Sequence, residues 1–136
     1  MDYRLDSFIS KTNIGNGTCL TVKWYNNKKL LYRKTFYGTV NHGIFCLVNG
    51  QPFEFKLFKK FISNIINGES SCFNMFNSYG SYEAYEFDSR KNKLIINFGV
   101  RENCMQVYFD VNESMIDLLE LMYNDIYIYY ENLIKL

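Results

Sequence analysis

The sequence predicts an α+β fold: an antiparallel sheet of hairpins and a four-strand meander, with two helices packed on one face. Three observations carry this. Apolar residues alternate with polar ones on either side of short polar turns in the first third of the chain. The apolar period becomes helical from Leu57 and again from Ser114. Between those stretches lie four short apolar runs separated by turn residues, as in a meander. At 136 residues the chain is read as a single domain over residues 1–136, long enough for one proper core.

Residues 1–17 are polar, carry a Gly15-Asn16-Gly17 turn, and read as a short helix, an edge segment or a flexible tail. From Thr18 the chain is extended. Leu20, Val22 and Trp24 alternate with Cys19, Thr21 and Lys23, Asn26–Lys29 turns it, and Leu30, Tyr32 and Phe36 return. A second hairpin is expected from the apolar run Ile44–Val48, the Asn49-Gly50 turn signal and Phe53–Phe55. Leu57, Phe58, Phe61, Ile62, Ile65 and Ile66 then share one helical face, and Asn67-Gly68 supplies the stop. The meander runs are Cys72–Phe76, Tyr82–Phe87, Leu94–Phe98 and Met105–Val111, the last with Met105, Val107, Phe109 and Val111 on one face. In the final helix Met115, Leu118, Leu119, Met122, Ile126, Tyr129 and Leu133 form the core stripe, with Asn112 or Ser114 as cap.

Composition narrows the function classes. Hydrophobic residues at 48% and charged ones at 21% exclude a disordered chain. The abundance of Asn, Lys, Ile, Tyr and Phe points to an AT-rich coding genome, that of a low-GC bacterium, its phages or a large virus. The start has no basic segment followed by an apolar one, and no apolar run approaches the ~18–20 residues of a membrane span. A cytoplasmic protein with no membrane contact is the expectation. Cys19, Cys46, Cys72 and Cys104 are too far apart in sequence for metal knuckles and sit in or beside apolar runs, so buried free thiols are expected.

No catalytic, cofactor or metal motif emerges. The single histidine, His42, has no nucleophile at workable spacing: Cys46 would lie roughly 13 Å along a strand at the ~3.3 Å rise per residue. A Ser-His-Asp set lacks a nucleophile elbow. Glu83 and Glu86, the closest carboxylate pair in a strand-like run, fall on opposite faces. A non-enzymatic protein without cofactor is the reading, with an enzyme of unassigned chemistry ranked behind it.

Charge carries more information. Residues 1–60 hold ten Lys/Arg against three Asp/Glu, and residues 61–136 five against eleven, so a formal net charge of +1 conceals a dipolar molecule. Lys23, Lys28, Lys29, Arg33 and Lys34 interleave with Trp24, Tyr25, Tyr32, Phe36 and Tyr37, which suits single-stranded nucleic acid or an acidic protein. The bland alternative is a solvated edge hairpin whose lysines block aggregation. The last helix has the opposite sign. Glu113, Asp117, Glu120 and Asn124 form a polar face, beside a second stripe of Ile116, Glu120, Tyr123, Tyr127, Tyr130 and Ile134. Glu113, Asp117, Glu120, Tyr123, Tyr127 and Tyr130 are therefore the candidate partner-binding residues, suited to a basic protein such as a toxin or nuclease. The competing reading packs these tyrosines against the N-terminal hairpins or a homodimer mate.

The helix Phe55–Gly68 closing on Asn67-Gly68, the strands through Tyr85-Glu86-Phe87 and Leu94–Phe98, and the final helix form a layout over about residues 54–130. This layout resembles that of small bacterial immunity proteins that neutralise cognate polymorphic toxins, particularly of the wall-associated type. The resemblance implies stoichiometric binding and supplies no site residue. A protein-binding inhibitor of immunity or anti-defence type is thus the leading expectation. A nucleic-acid-associated module using residues 23–37 and a viral or phage accessory or structural protein stand as alternatives.

Overall fold

The computed structural model describes residues 1–11, 17–41, 44–47, 52–76, 81–100 and 103–134. Eight strands and two helices follow in the order β1 (Tyr3–Lys11), β2 (Thr18–Asn26), β3 (Lys29–Asn41), β4 (Ile44–Leu47), α1 (Phe55–Ile66), β5 (Ser71–Phe76), β6 (Ser81–Asp88), β7 (Lys93–Val100), β8 (Asn103–Asp110) and α2 (Glu113–Ile134). The architecture is α+β, and the strands divide into two antiparallel sheets, β1-β2-β3-β4 and β5-β6-β7-β8. Neighbours in each sheet are consecutive in the chain, so short turns suffice as connections.

In the first sheet Asn27 takes a positive φ of 55° at the β2–β3 turn, a conformation asparagine tolerates. Trp24 pairs with Tyr32 and Tyr25 with Leu30, so a bulge at Leu31 shifts the register. The bulge corrects the alternation read from sequence: Leu30 joins Tyr25 on the outward face, while Tyr32 and Phe36 stay inward. β1 pairs along the whole of β2, which makes β2 an internal strand and, among the described residues, leaves the first part of β3 at an edge. β3 pairs with β2 through Lys29–Tyr37 and with β4 through Gly38–Asn41.

Of the second expected hairpin the described residues keep a single antiparallel bridge and no ladder. β4 pairs back onto β3, and its only link to the following segment among the described residues is a bridge from Cys46 to Pro52. Proline cannot donate to a ladder, and Phe55 already opens α1. Asn49-Gly50 lies outside the described residues. Phe53 is buried, 6.0 Å from Phe36 and 5.9 Å from Phe73 between ring centroids, so it serves the core and not a strand face.

Helix α1 buries Phe58, Phe61, Ile62 and Ile65, whereas Leu57 and Ile66, at the margins of the predicted stripe, are exposed. Its end is a Schellman motif. Gly68, at φ 72°, donates to Ile65 O (3.1 Å), and Glu69 donates to Asn64 O (2.8 Å). In the second sheet Phe73, Tyr85, Ile96 and Phe109 face inward, and Cys72, Glu86, Asn97 and Tyr108 outward. β8 lies at the edge: Phe109 is buried, but Met105 is exposed despite sharing its face. The cysteines are all free, yet only Cys19 and Cys46 are buried. Cys72 and Cys104 are exposed because the alternation that sends Phe73 and Phe109 inward sends them to the open side.

Helix α2 completes the core. Every residue of its predicted stripe is buried, each worth roughly 1.5–3 kcal/mol if fully removed from water. Asn112 is the cap, its Oδ1 accepting from Met115 N at 3.0 Å. Ser114 instead accepts from Tyr3 N at 3.0 Å and so ties β1 to the helix start. Further along, Ser7 donates to Asp125 at 2.5 Å and Tyr129 donates to Thr18 O at 3.0 Å. These bonds lay α2 along the inward face of β1 and β2, and α1 packs on β5 and α2. Among the described residues, no helix is long and apolar enough to cross a membrane.

Asn112→Ala removes both the cap and the bond from Asn112 Nδ2 to Met1 O (2.6 Å). Urea unfolding should show a loss of about 1–2 kcal/mol. Ser114→Ala, which leaves the cap bond from Met115 N to Asn112 in place, should cost less.

Candidate functional site

The outward face of α2 is built by the same periodicity that buries its stripe. Glu113, Asp117, Glu120 and Asn124 recur on the side opposite Met115 and Met122, and all four are exposed. Glu131 adds to them, whereas Asp125 is turned toward β1 and bonded to Ser7, and the described helix contains no Lys or Arg. Two large apolar side chains stand in this anionic surface: Leu121 is 53% exposed and Ile128 56%. Neither was singled out from sequence. Their seven-residue separation on the solvent side of the helical wheel was the available signal.

The three candidate tyrosines are brought together, by a residue not expected to hold them. Phe55, at the start of α1, lies 6.0 Å from Tyr123, 5.5 Å from Tyr127 and 5.3 Å from Tyr130 between ring centroids. Tyr123 and Tyr127 stack at 6.2 Å. Tyr123 and Tyr130 are half-buried, while Tyr127 remains 43% exposed. The tyrosines therefore pack on α1 rather than on the N-terminal hairpins, and Tyr127 carries the ring surface that stays accessible. The Glu131 carboxylate beside Tyr127 holds its hydroxyl above the usual phenol pKa. The anionic strip is bounded by a groove of about 300 Å³ between the helices, lined by Lys59, Ile66, Glu120 and Tyr123 among others.

The basic candidates separate. Lys23 and Arg33 face each other across β2 and β3 on the outward side, and Lys28 and Lys29 are exposed at the turn. Lys34 does not belong with them. It points inward, and its Nζ donates to Glu83 Oε2 of β6 at 2.8 Å, with both side chains largely buried. Trp24, Tyr32 and Phe36 are likewise core residues, which leaves Tyr25 and Tyr37 as the outward aromatics of that set. The position of Lys34 was legible, since it lies midway between Tyr32 and Phe36 on the apolar side of the alternation.

Glu83, read from sequence only as half of an unpromising carboxylate pair, is the centre of a buried polar cluster. Besides Lys34 it accepts from the Tyr32 hydroxyl, which in turn accepts from Tyr85 at 2.9 Å. Burial raises the Tyr32 and Tyr85 hydroxyls well above the ordinary 10.0, and the Glu83 carboxylate pushes both the same way. Glu86 lies on the opposite face of β6, as its odd spacing from Glu83 required. Surrounded by Trp24 and Phe98 rings, the cluster joins the two sheets.

His42 lies outside the described residues. Among the described residues no group of three or more His, Cys, Asp or Glu could hold a metal ion. A second groove, of about 340 Å³, runs between α1 and β5 past Leu57, Lys60, Cys72 and Asn74. Comparison with protein-family models, with curated proteins and with solved structures gives no match.

Because the folded state keeps Tyr32 and Tyr85 protonated, it binds more protons than the unfolded chain above pH 10.0. Stability is therefore full below that pH and should fall as pH rises through it. Urea midpoints between about pH 8 and 11 should show this fall, less steep in Tyr85→Phe. Glu83→Ala removes the carboxylate that both the buried Lys34 ammonium and the Tyr32 hydroxyl donate to, and should cost about 3–5 kcal/mol at neutral pH.

Proposed function

We propose that this chain is a non-enzymatic, cytoplasmic protein-binding inhibitor that acts by stoichiometric capture of a basic protein on the outward face of α2. The observation that carries the reading is the exposure of Leu121, Tyr127 and Ile128 within a helix face whose described charges are all negative. Leu121 and Ile128, seven residues apart, place apolar surface within this anionic side. Apolar anchors surrounded by charge of one sign are the elements of a protein interface. The anchors exclude water, and the field steers a partner of opposite sign.

The fold agrees with this use. α2 is held along its length by hydrogen bonds to β1 and β2 and by its buried stripe, so the outward residues sit on a rigid element. A preorganised face loses little entropy on binding. The expectation of an immunity or anti-defence type rests on the layout resemblance over about residues 54–130. The basic partner would then be a toxin or nuclease.

The test is titration against candidate basic toxins encoded beside the gene, read by calorimetry. A 1:1 complex is expected, with affinity falling at least 10-fold in Asp117→Lys with Glu120→Lys and in Leu121→Ala with Ile128→Ala. Capture that is indifferent to both pairs would move the interface off α2.

A further inference from the structure

The outward face of the first sheet is a feature that α2's binding role leaves unused. Sheet alternation gathers on it Arg4, Phe8, Lys23, Tyr25, Arg33 and Tyr37. No helix lies against this side among the described residues, because α2 occupies the inward face. Cations and rings are already in register with one another. The Arg4 guanidinium sits 4.6 Å from the Tyr25 ring centroid, and the Lys23 ammonium 5.4 Å from that of Phe8. Phe8 is 42% exposed, directly opposite Thr21. Lys28 and Lys29 continue the positive charge at the adjacent turn, and Asp6, opposite Lys23, is the one carboxylate in these outward ladder positions.

We infer that this face binds single-stranded nucleic acid, with Lys23, Lys28, Lys29 and Arg33 along the phosphates and Phe8 and the Arg4–Tyr25 stack beneath the bases. Charge complementarity accounts for the phosphate contacts. The pairing of cations with rings favours a nucleic acid over an acidic protein: exposed rings serve protein interfaces too, but a single strand offers phosphates to the cations and flat bases to the rings in alternation. A guanidinium stacked on tyrosine presents a second flat platform of the same kind. A duplex offers no free base faces and so cannot use the rings. Lys34 takes no part, being engaged with Glu83.

The site is independent of α2, and its test is arranged to show that. Anisotropy of a fluorescein-labelled oligothymidylate of about 20 nucleotides should report binding that weakens by 10-fold or more between about 50 and 200 mM salt. A duplex of equal length should bind more weakly. Lys28→Glu with Lys29→Glu, at an exposed turn where the fold is not at stake, should weaken binding at least 10-fold and flatten the salt dependence. Phe8→Ala should weaken it several-fold with the salt dependence unchanged. Asp117→Lys with Glu120→Lys should not weaken it. No anisotropy change at the lower salt, equal binding of duplex, or indifference to the turn lysines overturns the proposal. So does indifference to Phe8, which would leave a surface for acidic proteins. Salt-sensitive self-association that disappears on reversing Asp117 and Glu120 would assign the face to a second copy of the chain and overturn it too.

Discussion

The contact between the two sheets is the constraint on which the remainder of the fold depends. Each sheet is assembled from consecutive strands, and no ladder joins one to the other among the described residues. Their relation is set by side chains alone. Trp24 is completely buried, with Tyr32, Tyr85 and Phe109 around it at 4.6, 5.9 and 5.5 Å between centroids. Edge-to-face rings prefer particular angles, so this cluster supplies direction as well as apolar area. Beside it the Lys34–Glu83 pair crosses from β3 to β6. A buried pair of this kind adds little net stability, since desolvation offsets most of the attraction, but a mismatched register would leave either charge unpaired. The ion pair therefore penalises wrong sheet placements more than it stabilises the right one.

With the sheets placed, the helices have little freedom. α2 lies in the trough along β1 and β2, and α1 closes the side between α2 and β5. Both sheets keep one face open, as antiparallel sheets can. The two open faces differ. That of the first sheet gathers cations beside rings, whereas that of the second carries Glu86, the Lys93–Asp110 pair, Tyr82, Tyr108 and amide groups, among them Gln106 donating to Asn97 at 2.5 Å. Tyr82 lies over Gly99 on the same side, where a Cβ would stand 1.7 Å from its ring. The charge asymmetry of the chain is thus expressed as separate surfaces. The anionic side of α2 and the cationic side of the first sheet face away from each other, with the β1–β2 layer between them.

Much of this was legible in the residues. Period-two alternation located β2, most of β3 and the meander, and the three- and four-residue steps located both helices, because each pattern is a direct image of the face that must be buried. The α1 stop was readable from Asn67-Gly68, since glycine alone takes a positive φ without strain. The acidic side of α2 followed from the same wheel. What failed did so for identifiable reasons. Phe53–Phe55 look like a returning strand locally, yet the neighbouring rings recruit Phe53 into the core and Phe55 opens α1. Cys72 and Cys104 sit among apolar residues in sequence but on the open side of a sheet.

By itself, the sequence determined the α+β class, the elements and which helix faces are apolar, because these depend on local periodicity and turn chemistry. Only the tertiary structure decided what the inward polar side chains meet. Lys34 and Glu83 are 49 residues apart, and nothing local to either announces the other. Nor could periodicity show that Phe55 gathers Tyr123, Tyr127 and Tyr130, leaving one ring of three accessible. Burial is a property of what packs against a residue, and for these residues the packing partner comes from a distant part of the chain.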